Sequence, residues 1–204
     1  MKNLYLDRSE TPIGPFLIAV SEFGVVAIIQ ERKRSEHLER LRRDFDLQRS
    51  LPPPGPASQH MRAILRALSR YSAGKRETFE SVTLDLRGTP FQLQAWRALR
   101  KVDYGETISY GSLAQRLGTK GARAIGNACG RNPVPIVVPC HRVIASDGRI
   151  GGFGLGLDHK RSLLKLEGVQ LLERVDELLT SDSHYEKSIR FSYSLGSTSR
   201  SEHS

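Results

Sequence analysis

Cysteine is scarce in this chain of 204 residues: there are two, Cys129 and Cys140. That is too few for a fold built on disulfides, and no Cys/His set has the spacing of zinc ligands, so no metal is expected. Long apolar runs are missing too. Nothing approaches the ~18–20 residues needed to span a bilayer, and the start, Met1 to Asp7, has no apolar signal core. A membrane protein and a secreted disulfide scaffold are set aside, which leaves a reducing cytoplasm with free thiols as the default location. Negative charge is the minority sign. Lys and Arg number 31 against 22 Asp and Glu, a net charge of +9. An excess of that size favours a polyanionic partner, nucleic acid first and an acidic membrane surface second, although many basic proteins bind neither. With 38% hydrophobic and 26% charged residues, the composition is that of a globular protein.

The first part of the chain reads as strands and then helices. Phe16 to Val20 and Val25 to Ile29 are apolar runs separated by a turn at Gly24, which predicts a hairpin. Leu38, Leu41 and Phe45 follow at helical spacing. Leu51-Pro52-Pro53-Pro54-Gly55-Pro56 is a loop. Met61, Ile64, Leu65 and Leu68 recur at i, i+3, i+4 and i+7, one face of an amphipathic helix. Val82, Leu84 and Leu86 alternate as in a strand. No catalytic constellation stands out here, and residues 1–86 read as a small α+β scaffold.

After Arg87-Gly88, Thr89-Pro90-Phe91-Gln92 has the form of a capping box with proline in the first turn, and Phe91, Ala95, Trp96 and Leu99 give that helix its buried face. Tyr110 to Leu117 reads as a second short helix ending at Gly118, and about Ala122 to Gly130 as a third. Two short helices joined by a Gly-containing turn are a helix-turn-helix candidate, though helical hairpins are common. From Asn132 the chain turns irregular, with three prolines around a short apolar strand that leads to Cys140. A glycine-rich loop from Gly148 to Gly156 follows. Asp158 is read as the cap of a last helix with Leu163, Leu164 and Leu166 inside and Gly168 as its stop. Leu171, Leu172, Val175, Leu178 and Leu179 suggest one more amphipathic helix, and the Ser-rich stretch from Thr180 to Ser204 reads as disordered.

A thiol is a nucleophile only as thiolate, so a reactive Cys140 needs a base. His141 is adjacent, but neighbours on an extended strand point to opposite faces, and a water would have to bridge them. Glu167 is a candidate to orient the imidazole. A buried cysteine is more often a small core residue, a Cys beside a His is often chance, and Cys–His–acid is also the logic of cysteine hydrolases. Cys129 and Cys140 could instead form a disulfide; Cys129 otherwise reads as packing.

Pro139-Cys140-His141-Arg142-Val143, preceded by Asn132-Pro133-Val134-Pro135-Ile136, resembles the acceptor motif of the O6-alkylguanine-DNA alkyltransferases. Pro90-Phe91-Gln92 with Trp96, Tyr104 to Tyr110, Ala122-Arg123-Ala124-Ile125-Gly126, and Leu163-Leu164 to Glu167-Gly168 match the same family in order, covering about residues 88–168. The resemblance implies an α+β fold. A small N-terminal α/β domain of ribonuclease H-like type (1–86) would precede a mainly helical DNA-binding alkyltransferase domain (87–172) with a helix-turn-helix and a buried acceptor cysteine. A short helix and tail would follow (173–204).

The resemblance also implies roles. Cys140 accepts the alkyl group, His141 takes its proton through a water, Glu167 holds the histidine, and Asn132 braces the turn before the acceptor. Tyr110 donates to a ring nitrogen of guanine and helps turn its phosphate. Arg123 replaces the flipped base, and Ala122, Ala124 and Gly126 let their helix approach the minor groove. Val143, Phe153, Gly154, Leu155 and Pro135 line the substrate pocket. The expected partner is double-stranded DNA carrying O6-alkylguanine, with O4-alkylthymine as a second candidate, bound by a monomer without cofactor. The product thioether cannot be hydrolysed by its neighbours, so each protein acts once. Phe153 stands where members often have tyrosine, and Leu155 where glycine is common, which narrows the pocket. A rival reading is a binding module, a helix-turn-helix regulator or a non-enzymatic lesion-binding relative. Such relatives usually carry tryptophan at the acceptor position, whereas this chain has Cys140. A cysteine hydrolase is the second rival, and turnover discriminates it.

Overall fold

The computed structural model describes residues 2–31, 34–48, 52–119 and 121–170. The predicted helix beyond Leu171 and the Ser-rich tail lie outside them. Residues 1–170 cluster as one unit.

The apolar runs near the start form a four-stranded sheet. Strands β1 (Lys2–Thr11), β2 (Gly14–Ser21) and β3 (Gly24–Gln30) pair antiparallel in succession, and β4 (Phe45–Gln48) adds parallel to β1, giving the order β3-β2-β1-β4. The hairpin expected from Phe16–Val20 and Val25–Ile29 is the β2–β3 pair. These two runs are apolar throughout because both faces of the sheet are covered. Phe16, Ile18 and Val20 point into the main core with helix α2 (Gly55–Ser72), while Leu17, Ala19, Ile29 and Phe45 join a second cluster with Leu38 of α1 (Arg34–Leu41). A register shift at Ala19/Val20 changes which residues of β3 face each side.

Phe45 corrects the sequence reading. It was placed on a helical face with Leu38 and Leu41, but α1 stops at Leu41 and Phe45 opens β4. Its ring is buried under the Arg87 guanidinium, 4.1 Å from the ring centroid. The spacing from Leu41 suited a helix, yet pairing with β1 decided the outcome. Val82, Leu84 and Leu86 also depart from expectation. They make no regular strand; Leu84 forms one isolated bridge to Val25. Val25 N–H donates to Thr83 O (2.9 Å) and Asp85 N–H to Val25 O (2.9 Å), so this segment closes the free edge of β3. Gly24 makes the contact possible, since a Cβ there would lie 2.7 Å from Thr83 O.

Helix α2 (Gly55–Ser72) starts with proline in its first turn and buries Ala57, Met61, Ile64, Ala67, Leu68 and Tyr71 on one face. Helix α3 (Pro90–Leu99) has the predicted capping box, with Gln92 N–H donating to Thr89 Oγ1 and Thr89 N–H to Gln92 Oε1. Of its expected buried face, Ala95, Trp96 and Leu99 are buried and Phe91 is only half-buried. Trp96 Nε1–H donates to Ala128 O (2.9 Å), which ties α3 to α5 (Ala122–Gly130).

Two-residue strands β5 (Ile108–Ser109) and β6 (Val143–Ile144) pair parallel. Helices α4 (Tyr110–Arg116), α5 (Ala122–Gly130) and α6 (Leu157–Leu166) complete the fold. The cap of α6 is Gly156, with φ of +108°, and Asp158 sits in the first turn instead. A carboxylate there still favours the positive end of the helix dipole.

Candidate active site around Cys140

Cys140 does not lie on a strand. Residues Cys140–Arg142 form one 3-10 turn, which removes the opposite-faces argument drawn from an extended chain. The turn is prepared by Asn132. Its Oδ1 accepts from Val134 N–H (3.0 Å), and its amide Nδ2–H donates to Val138 O (2.8 Å) and to Cys140 Sγ (3.1 Å). Between these contacts Ile136 adopts φ of +75°. A β-branched residue is rarely found there, so the segment stores strain that the Asn132 brace and the prolines hold in place.

Behind Cys140 is a buried polar cluster. Glu167 Oε1 accepts from Tyr71 Oη–H (2.6 Å), His141 Nε2–H (2.9 Å) and Arg142 Nη2–H (2.9 Å). Its Oε2 accepts from Arg142 Nε–H (2.8 Å) and Gly105 N–H (3.3 Å). All four side chains are buried. Burial alone would raise the Glu167 carboxyl, but the bonds and charges from His141 and Arg142 outweigh it and hold the group at about 2. A carboxylate only accepts, so the His141 proton sits on Nε2 and Nδ1 carries a lone pair. Among the described residues that Nδ1 is a buried nitrogen without a hydrogen-bond partner. Burial pushes the imidazole below its ordinary value, against the pull of Glu167, so it stays neutral. Burial pushes the Cys140 thiol up, with Asn132 and Lys160 partly opposing. The resting pair is therefore a neutral thiol beside a neutral imidazole base.

In front of Cys140 is a cavity of about 510 Å³, within the range of small-ligand sites. Tyr110, Ala122, Gly126, Cys129 and Phe153 line it with Cys140. Tyr110 Oη–H donates to Gly152 O (3.1 Å), and burial, with Cys129 and Cys140 nearby, pushes the phenol up to about 12, so it remains a donor. Gly151 is needed there: its φ is +66° and a Cβ would come within 3.0 Å of the Tyr110 ring. Buried Lys160 donates from Nζ to Val143 O (2.5 Å) and Gly152 O (3.1 Å); burial lowers it to about 8.

The other expected residues fall into three groups. Ala122 and Gly126 face the cavity with Phe153 and Gly154, whereas Ala124 does not line it. Pro135 and Leu155 line a second, smaller cavity that also reaches Cys140, Phe153 and Gly154. Val143 is fully buried and contributes its carbonyl. Arg123 is exposed on α5. Cys129 and Cys140 are free thiols, so the disulfide alternative is not formed. No group of three or more His, Cys, Asp or Glu that could hold a metal occurs among the described residues.

Sequence reasoning missed Tyr71, Arg142 and Lys160. Two carried a readable signal. Lys160, Leu163, Leu164 and Glu167 share one helical face at i, i+3, i+4 and i+7, and all four are buried. A charge on an apolar face demands a partner. Arg142 likewise interrupts an apolar stretch; it also donates Nη1–H to Val102 O (2.6 Å).

A mixed α/β scaffold that holds a buried thiol beside a carboxylate-oriented imidazole, open to a cavity of small-ligand size, defines a class of cysteine-acceptor or cysteine-nucleophile protein. Comparison with known proteins narrows the class. Residues 90–169 match the family model described as 6-O-methylguanine DNA methyltransferase, DNA binding domain. The methylated-DNA–protein-cysteine methyltransferase of Mycobacterium tuberculosis is 41% identical over 161 residues, 78% of this chain and 88% of that protein. That of Methanosarcina acetivorans is 39% identical over 169 residues, 81% of this chain and 99% of the relative. The crystal structure of M. tuberculosis OGT in complex with DNA superposes with a TM-score of 0.62 at 36% identity, covering 81% of this chain and 92% of that one. The chain belongs to the methylated-DNA–protein-cysteine methyltransferase family.

Proposed function

We propose that this protein repairs DNA by moving the alkyl group of O6-alkylguanine onto Cys140, once per molecule, with O4-alkylthymine as a second substrate. The observation that carries the reading is the unpartnered Nδ1 of His141, left as a base because Glu167 takes Nε2–H, beside a buried thiol facing a cavity with room for a nucleobase. The Cys140 proton passes to His141 Nδ1 through a water. The thiolate attacks the alkyl carbon, a C–S bond forms, and the C–O6 bond breaks with its electron pair going to guanine. Tyr110 supplies a proton to a ring nitrogen of the leaving base, and the His141 proton restores Tyr110 through solvent. The thioether is inert to its neighbours, so the acceptor is consumed.

The lesion has to leave the duplex stack to reach a buried sulfur. Helices α4 and α5 act as a helix-turn-helix. Ala122, Ala124 and Gly126 allow α5 close to the minor groove, and exposed Arg123 fills the place of the flipped base. Asn132 braces the acceptor turn; Val143, Phe153, Gly154, Leu155 and Pro135 shape the pocket. Residues 87–172 form the DNA-binding alkyltransferase domain, supported by the match over 90–169, and residues 1–86 a ribonuclease H-like scaffold. The protein works as a cytoplasmic monomer; among the described residues no helix is long and apolar enough to cross a membrane.

The test is stoichiometry. Titration against excess duplex carrying O6-methylguanine should restore one equivalent of guanine per protein and then stop. Continued turnover would favour a cysteine hydrolase; binding without repair would favour a lesion-binding module.

A further inference from the structure

Two cavities meet at Cys140. The larger, of about 510 Å³, is the room for the base in the proposed function, on which the following rests. The smaller, of about 80 Å³, shares Cys129, Gly130, Cys140, Phe153 and Gly154 with it. Its remaining wall includes Ile28 and Gln30, from a strand far outside the matched segment 90–169. Displacement at carbon runs along a line from sulfur through carbon to the departing oxygen. A methyl group needs no room beyond that line. Any longer chain projects sideways from it and stays on sulfur afterwards, so it needs a space beside Cys140 that the base does not fill.

We propose that the end of β3, through Ile28 and Gln30, closes the subsite that takes the alkyl chain, so that the N-terminal sheet sets the largest adduct accepted. The strand is tied to both movable walls of the smaller cavity. Ile28 N–H donates to Pro133 O (2.9 Å), which holds the turn that carries Pro135. Gln30, buried in the structure, has its side-chain amide 3.4 Å from His159 Nδ1, and that nitrogen donates to Leu155 O (2.8 Å) in the glycine-rich loop. Gln30 therefore occupies the wall and lies beside His159, whose Nδ1 proton is committed to Leu155 O. The volume sets the range. An apolar cavity of ~150 Å³ admits benzene, and this one is about 80 Å³. A short linear chain fits and a ring does not.

The experiment measures rates of Cys140 alkylation in the full chain by intact mass, with duplexes carrying O6-methylguanine or O6-(n-butyl)guanine, and takes the butyl-to-methyl ratio. Gln30→Ala should raise the ratio by ~10-fold or more, the scale on which an apolar pocket discriminates one or two methylenes, and Gln30→Trp should lower it. His159→Ala, which removes the Nδ1–H bond to Leu155 O, should raise it in the same direction. A general loss of folding would slow both substrates and would not move the ratio in opposite directions for the two Gln30 variants. Methyl transfer with ratios unchanged within about twofold in all three variants would overturn this inference alone. No methyl transfer by the wild-type protein would overturn the proposed function and this inference with it.

Discussion

Cys140 is approached by two regions of opposite construction. Behind it, Glu167 gathers five hydrogen bonds from Tyr71, Gly105, His141 and both guanidinium edges of Arg142, with every side chain buried. In front, five of the nine residues of the loop from 148 to 156 are glycine, and its carbonyls are held by long side chains, Tyr110 and Lys160 on Gly152 and His159 on Leu155. A buried polar cluster in which every group but His141 Nδ1 is satisfied is held to few arrangements, because displacing any member leaves another desolvated and unpaired. A glycine-rich loop has many. The chemistry is thereby mounted on the rigid side, and the fit to substrate is left to the yielding side.

This contrast is open to attack from both directions. Glu167→Gln should have the largest effect. It leaves Arg142 buried without its counter-charge, so denaturant unfolding should show a loss of about 3–5 kcal/mol, and alkyl transfer should be lost with it. Stability retained within about 1 kcal/mol would show that the rear cluster is not what holds the site.

Acid should act on the same group. The Glu167 carboxyl titrates at about 2 in the folded protein, below its ordinary value of 4.5. A depressed carboxyl stabilises the fold fully above its unfolded value, and that stability is lost as pH falls from about 4.5 through about 2. The amount is about 3 kcal/mol. Wild type and Glu167→Gln compared across this window isolate the contribution: the gap between them should close as pH falls, and a constant gap would refute the assignment.

Next in size is Arg123→Ala, on the helix proposed to face DNA. Base flipping costs a few kcal/mol, and a side chain in the vacated stack offsets part of it, so duplex repair should slow by ~10–100-fold. Reaction with free O6-methylguanine should hardly change; equal losses on both substrates would remove Arg123 from the base-replacement role. The front loop should give the smallest change. Gly151→Ala places a Cβ against Tyr110 at a positive φ, for a cost of about 1–2 kcal/mol, and its main mark should be slower transfer with the Glu167 cluster intact. A stability loss matching that of Glu167→Gln would erase the distinction between the two regions.

The same division explains what the sequence could reveal. The sheet was legible as apolar runs at Phe16–Val20 and Val25–Ile29, and α3 as a capping box, because each signal lies within a few residues. Cys140, His141 and Glu167 were legible through ordered motifs. The pairings that complete the site were not. Tyr71 reaches Glu167 across 96 positions, and Arg142 Nη1–H finds Val102 O across 40. No local spacing encodes such contacts. Phe45 failed for the converse reason: the local pattern favoured a helix and a nonlocal partner, β1, overruled it. The turn at Cys140 was misread as a strand because prolines and β-branched residues suit extended chain, while the brace from Asn132 to Val138 O folds it back.

The most direct test of the account is the site of the adduct. After incubation with duplex O6-methylguanine, intact mass followed by peptide mapping should show one methyl group replacing the thiol hydrogen of Cys140, with Cys129 unmodified although it lines the same cavity. Its thiol is raised by burial to about 12, and the described hydrogen bonds tie no base to it. A methyl group on Cys129, or an unmodified Cys140 with the lesion intact, would contradict the central claim.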